Sequence, residues 1–183
     1  MKSLFSIICI TTFFSFCYFD DIYNLSIKTI EGNKVELSIY RGKKILFVIL
    51  LLTAEDTTMS VSALETLQKK YANSLVIIGI VAAETGFIKA DEIKIKSLYK
   101  DMKPGFLISE AIKVKKAAGN EQSSLFQWLT HKDKNRHFDN DAKGVGHMFF
   151  VDETGNLYAV MRPGIKLSNP VIERILAKPI ANP

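Results

Sequence analysis

The residues best placed to do chemistry stand at the end of a long apolar run. Lys44-Ile45-Leu46-Phe47-Val48-Ile49-Leu50-Leu51-Leu52 stops at Thr53-Ala54-Glu55-Asp56-Thr57-Thr58, and a helical pattern follows. A buried strand that feeds a tight loop and then a helix is where α/β proteins keep reactive groups. The group this loop offers is the Glu55 carboxylate. Beside a helix N-terminus, a carboxylate contributes about 0.3–1 kcal/mol to the helix. The other chemistry such a loop supports is thiolate chemistry, which needs a cysteine. The chain has two cysteines, Cys9 and Cys17, and both lie far upstream.

Those upstream residues read as an export signal. Met1-Lys2 gives a short basic start, and Leu4 to Phe16 is apolar apart from Ser and Thr, of h-region length and too short to span a bilayer. Ser15-Phe16-Cys17 places small residues three and one before a cut, so residues 1–17 are expected to be removed, leaving 18–183 as one domain starting at Tyr18. Exported protein of this kind is periplasmic or secreted. The alternative is a lipoprotein that keeps Cys17 as a lipidated first residue, and only that form would hold the chain at a membrane. A domain starting at Tyr18 has no thiol at all, hence neither a disulfide framework nor a cysteine nucleophile.

With 183 residues, 48% of them hydrophobic, the chain can bury one substantial core. The formal charge of +5 is spread over lysines interleaved with acidic residues, without an aromatic ladder, which excludes a nucleic-acid reader. No long apolar stripe is left over for a second subunit, so a monomer is expected. No cofactor motif is present. His131 and His137 fall in a charged, aperiodic stretch, His131 to Lys143, expected to be a solvated loop. Asp133, Asp139 and Asp141 within it lack the central Gly and closing Glu of a calcium loop.

The elements that must position the loop can be read from periodicity. Asn24 to Thr29 and Lys34 to Ser38 alternate around Glu31-Gly32-Asn33, predicting a β-hairpin. Ala63, Leu64, Leu67 and Tyr71 fall at helical spacing, with Thr57 or Thr58 as N-cap. Leu75 to Val81 predicts a second buried strand, so strand, helix and strand form a βαβ unit with a parallel pair. Ala90 to Met102 is weakly amphipathic, with Ile93, Ser97 and Leu98 on one side. Phe106 to Ile108 predicts a short strand, and Ser123 to Thr130 a helix in which Trp128 is a packing anchor. Met148 to Asp152 and Leu157 to Met161 predict an antiparallel hairpin. Ser168, with Pro170 in the first turn, is expected to cap a last helix.

That order of elements, with several local motifs, resembles the glutathione peroxidases. Gly32-Asn33-Lys34-Val35-Glu36-Leu37-Ser38 and Tyr40-Arg41-Gly42-Lys43 resemble the family's opening. Leu64 to Tyr71 looks like its first helix, Leu125-Phe126-Gln127-Trp128-Leu129 like its Leu-Tyr-x-x-Leu helix, and Phe149-Phe150-Val151-Asp152 with Gly155 like its Phe-Leu-Val-Asp strand and turn. The resemblance implies a thioredoxin-like α/β fold: a central mixed sheet flanked by helices, with an N-terminal hairpin. It also implies hydroperoxide reduction by a cysteine or selenocysteine, assisted by Gln, Trp and Asn. In the register the resemblance sets, Glu55 stands at the nucleophile position, Glu84 at the Gln, and Gly144 and Val145 at the Trp-Asn pair. A carboxylate cannot take an oxygen atom from a hydroperoxide as sulfur does. The expectation is therefore a family member without thiol peroxidase activity, serving as a binding or interaction module for a protein or small-molecule ligand.

Two alternatives stay open. One is ordinary peroxide reduction, which requires a surviving thiol. The other places Glu55 and Glu84 face to face across the former catalytic pocket, with His147 on the adjoining strand. At about 5 Å and an effective dielectric near 20, the two carboxylates would repel by roughly 3 kcal/mol, which favours a divalent cation between them.

Overall fold

The computed structural model describes residues 21–50, 61–84, 93, 97 and 104–177. Its centre is β3 (Lys44–Ile49), whose six residues are all buried. Ile45, Phe47 and Ile49 point into one core and Leu46, Val48 and Leu50 into another. Apolar side chains on both faces explain why the run shows no alternation.

A strand so placed needs partners on both edges. Helix α1 (Val61–Lys70) crosses over to β4 (Leu75–Ala82), which pairs with β3 in parallel from Lys44↔Leu75 to Ile49↔Ile80. The βαβ unit is thus present. On the other edge β6 (Met148–Val151) runs antiparallel to β3, and β7 (Leu157–Met161) antiparallel to β6. β5 (Leu107–Ile112) adds in parallel beside β4, giving a mixed sheet of order β5-β4-β3-β6-β7.

One face of the sheet is covered by α1 and the last helix, and the other by the N-terminal hairpin and α2 (Ser124–Thr130). Ser123 caps α2 by accepting from the Phe126 N–H, and Trp128 is buried in the core, as its helical spacing predicts. The hairpin is shorter than its alternation suggests: β1 (Ser26–Lys28) and β2 (Lys34–Glu36) are flanked by 3-10 turns at Ile22–Asn24 and Leu37–Tyr40. Two further departures share one cause, short-range hydrogen bonding that leaves no hydrophobic period. The expected loop after α2 contains α3 (Lys132–Asn135), and Lys116–Glu121 forms a 3-10 segment. The last helix, α4 (Pro170–Ala177), is capped by Asn169 rather than Ser168, through the Asn169 Oδ1 that accepts from Val171 N–H at 2.9 Å. Pro170 occupies its first position, where no N–H is needed. The expected helix 90–102 lies outside the described residues except at Ile93 and Ser97; both are helical, and Ile93 is 74% exposed rather than inward.

The β6–β7 turn ties the N-terminal segment to the sheet. The Glu153 carbonyl accepts from Tyr23 Oη and Gly42 N–H, both at 3.1 Å, and the Glu153 carboxylate pairs with the buried Lys44 ammonium at 3.0 Å. Close approach requires glycine at 155: φ is +94°, and a Cβ there would meet Tyr23 Cε2 at 2.7 Å. Gly155→Ala is expected to lower the unfolding free energy by roughly 2–4 kcal/mol in urea titrations, from strain and overpacking together. Gly32, at φ +91° with open space around it, should cost only the strain when changed to Ala, about 1–2 kcal/mol. Equal losses at the two positions would contradict the contact with Tyr23.

Candidate functional site

The C-terminal ends of β3 and β4 and the start of β6 lie at one end of the sheet, and the described sequence-derived positions adjoin those strand ends. Glu55 and the expected cap residues Thr57 and Thr58 lie outside the described residues, as do Cys9 and Cys17. Glu84, Gly144, Val145 and His147 can be placed.

Glu84 follows β4, and its carboxylate is committed. Oε1 accepts from the N–H groups of Val114 at 2.8 Å and Lys115 at 2.9 Å. Two backbone donors on one oxygen fix the entry of the chain into the 116–121 turn. Oε2 is buried and, among the described residues, has no hydrogen-bond partner. Because Val114 follows β5, this carboxylate is anchored on the β5 side of β4, away from β3 and β6. The amide pair that holds it carries no side-chain signature, so the sequence could not reveal it.

His147 belongs to the other side. It precedes β6, is 2% exposed, and is locked to the end of β3: its carbonyl accepts from Ile49 N–H at 3.0 Å, while Gly146 N–H donates to the Ile49 carbonyl at 2.8 Å. Its ring lies on Phe149, centroids 4.5 Å apart. Nδ1 accepts from Lys143 N–H at 3.2 Å, which leaves the proton of the neutral ring on Nε2. Burial, followed by the nearby Lys143 cation, pushes the His147 pKa down to about 4, with Asp141 opposing. Glu84 is not among the charges acting on this ring, in keeping with strands two places apart in the sheet, about 10 Å between backbones. The structure thus does not bring Glu84 and His147 together. Among the described residues, no three His, Cys, Asp or Glu side chains are grouped to hold a metal.

The Gly144-Val145-Gly146 segment gives this end its open wall. Gly144 adopts φ +108°, and a Cβ built on it would meet nothing within 4 Å. His131, expected to be solvated, instead turns Nδ1 to its own helix, within 3.0 Å of the Gln127 carbonyl. His137 is exposed. Two nearby lysines are paired: Lys113 with Glu121 and Lys116 with Asp139.

The neutral His147 has a measurable consequence. Its folded pKa lies below the ordinary 6.5, so the unfolded chain binds the proton more readily. Its contribution to stability is full above about pH 6.5 and is lost as pH falls toward 4. NMR titration of the imidazole is expected to show a midpoint near 4, and His147→Gln should flatten the fall in stability across that window. A midpoint near 6.5 would overturn the burial argument.

The glutathione peroxidase family profile matches residues 22–130, more than half of the chain. No curated protein matches the sequence significantly. Among solved structures, the chain is similar to T. cruzi GPX1, with 17% identity and a TM-score of 0.61 over 86% of this chain and 94% of that one. It is also similar to a thiol:disulfide interchange protein of the thioredoxin family from Chlorobium tepidum, with 15% identity and a TM-score of 0.57 over 84% and 90%. A third is the exposed lipoprotein thioredoxin Etrx1 of Streptococcus pneumoniae, with 15% identity and a TM-score of 0.56 over 84% and 97%. These likenesses establish the thioredoxin-like fold, and the profile match establishes the lineage: the chain belongs to the glutathione peroxidase family.

Proposed function

We propose that this protein is an exported family member without thiol peroxidase activity, whose scaffold serves as a binding or interaction module. The observation that carries the reading is the distribution of sulfur: no cysteine occurs between Tyr18 and Pro183, and Glu55 follows the central strand where the family's nucleophile is expected. Reduction of a hydroperoxide requires a group that accepts oxygen and is then returned by a reductant, and no carboxylate does this. Supporting it, the residues in the register of the Gln and the Trp-Asn pair do other work. Glu84 binds two backbone amides, and Gly144 and Val145 leave an open wall.

Export rests on the apolar segment Leu4 to Phe16 behind Lys2. The likeness to an exposed lipoprotein thioredoxin is consistent with it. A lipid on Cys17 would place the module on a membrane surface.

Buried Glu84 Oε2, without a partner among the described residues, keeps the metal alternative in view. In it Glu55 would supply the second carboxylate. A thermal-shift screen with divalent ions separates the readings: a shift that disappears in Glu55→Gln supports a metal site, and none for any ion removes it.

The main reading is tested by peroxide consumption. The purified protein, given hydrogen peroxide or cumene hydroperoxide with glutathione or reduced thioredoxin, is expected to show no turnover above the protein-free rate. Saturable turnover would overturn the proposal.

A further inference from the structure

The opposite end of the sheet carries a cavity of about 1140 Å³, at the N-terminal ends of β4 and β5. It exists because the two strands start out of step. β5 pairs with β4 only from Ile78↔Leu107 onward, so Leu75 to Ile77 have no strand on that side. Gln68 of α1 fills the gap with its side chain. Its Nε2 donates to the Leu75 carbonyl at 2.6 Å, and its Oε1 accepts from Ile77 N–H at 2.8 Å. The Leu75 carbonyl and the Ile77 N–H are therefore both occupied, and an extended peptide adding to this edge of β4 would find neither free.

What remains is an apolar wall with polar groups at one end. Val76, Phe106 and Leu107 line the apolar part, and Tyr40 and Lys43 line the other. Both polar residues come from one turn, closed by Lys43 N–H on the Tyr40 carbonyl at 3.0 Å. Among the described residues, neither the Tyr40 hydroxyl nor the Lys43 ammonium has a hydrogen-bond or ion-pair partner. Glu31 also borders the cavity, but it is exposed and its carboxylate accepts from the Asn33 amide at 3.4 Å. One ammonium and one phenol suit a single negative charge; a polyphosphate would need more cations.

We propose that this cavity binds a small organic carboxylate with an apolar body, its carboxylate taken by Lys43 and Tyr40 and its body lying on Val76 and Leu107, which share the Tyr40 face of the sheet. The volume suits a ligand of ordinary small-molecule size. The site is independent of the one at the other end: Ile77 and Ala82, the last β4 residue before Glu84, are five residues apart along the strand, roughly 17 Å at about 3.3 Å per residue. Peroxide turnover there would leave this assignment standing, and the converse holds.

The test titrates 4-phenylbutyrate, and its neutral twin 4-phenylbutanol, into the purified protein, read by calorimetry and by amide NMR shifts. Saturable binding of 4-phenylbutyrate is expected, with shifts at Val76 and Phe106 to Ile108 and none at Glu84 or His147. Lys43→Met should weaken the carboxylate about tenfold or more and leave the alcohol unchanged. Leu107→Trp should block both. Tyr40→Phe, which removes only a hydroxyl, should also weaken the carboxylate selectively, and it keeps the test decisive if Lys43→Met fails to fold. Absence of saturable binding, shifts at the Glu84 end, or equal effects on acid and alcohol would overturn the proposal.

Discussion

Because Ile45 through Ile49 expose nothing on either face, strand β3 can persist only with both of its edges paired. An N–H or C=O left bare in that interior would cost several kcal/mol. The two solutions adopted on its two edges shape the molecule. On one edge the parallel partner β4 demands a crossover, which is α1. On the other the antiparallel partner β6 comes from far along the chain and continues by a hairpin into β7. Five consecutive apolar residues thus dictate a βαβ unit, a hairpin and two separate cores. They also fix the stage for chemistry, since the ends of β3 and β4 and the start of β6 are then forced to one end of the sheet.

Much of this was legible in the chain. The run at 44–52 announced a doubly covered strand, Leu64, Leu67 and Tyr71 announced the crossover helix, and Met148 to Met161 announced the hairpin. These readings hold because burial writes itself into side-chain type. What stayed hidden was written in backbone hydrogen bonds. No residue type marks Val114 and Lys115 as the holders of Glu84, nor Asn169 over Ser168 as the cap of α4. Nor does any residue type mark Gln68 as the side chain that stands in for a missing strand. The environment of His147 was undecided for the same reason, because its burial follows from the Ile49 pairing rather than from its neighbours in sequence.

The two ends of the sheet now have different characters. At the C-terminal end, the described groups are already occupied: Glu84 with two amides, and His147 with Lys143 N–H and held neutral. At the N-terminal end, a cation and a phenol stand beside apolar wall with no hydrogen-bond or ion-pair partner among the described residues. A scaffold inherited from a redox family can keep its fold when its nucleophile is lost, since β3 is held by packing and pairing that do not involve the loop's chemistry. Ligand recognition can then be built anywhere the sheet leaves an opening.

The central claim is that the working protein has no sulfur nucleophile. It is tested most directly by intact mass and free-thiol count on the native protein, denatured and fully reduced. The account predicts a species beginning at Tyr18 with no titratable thiol. A species that begins at or before Cys17 and carries a free, reactive thiol would contradict it and return the protein to redox chemistry.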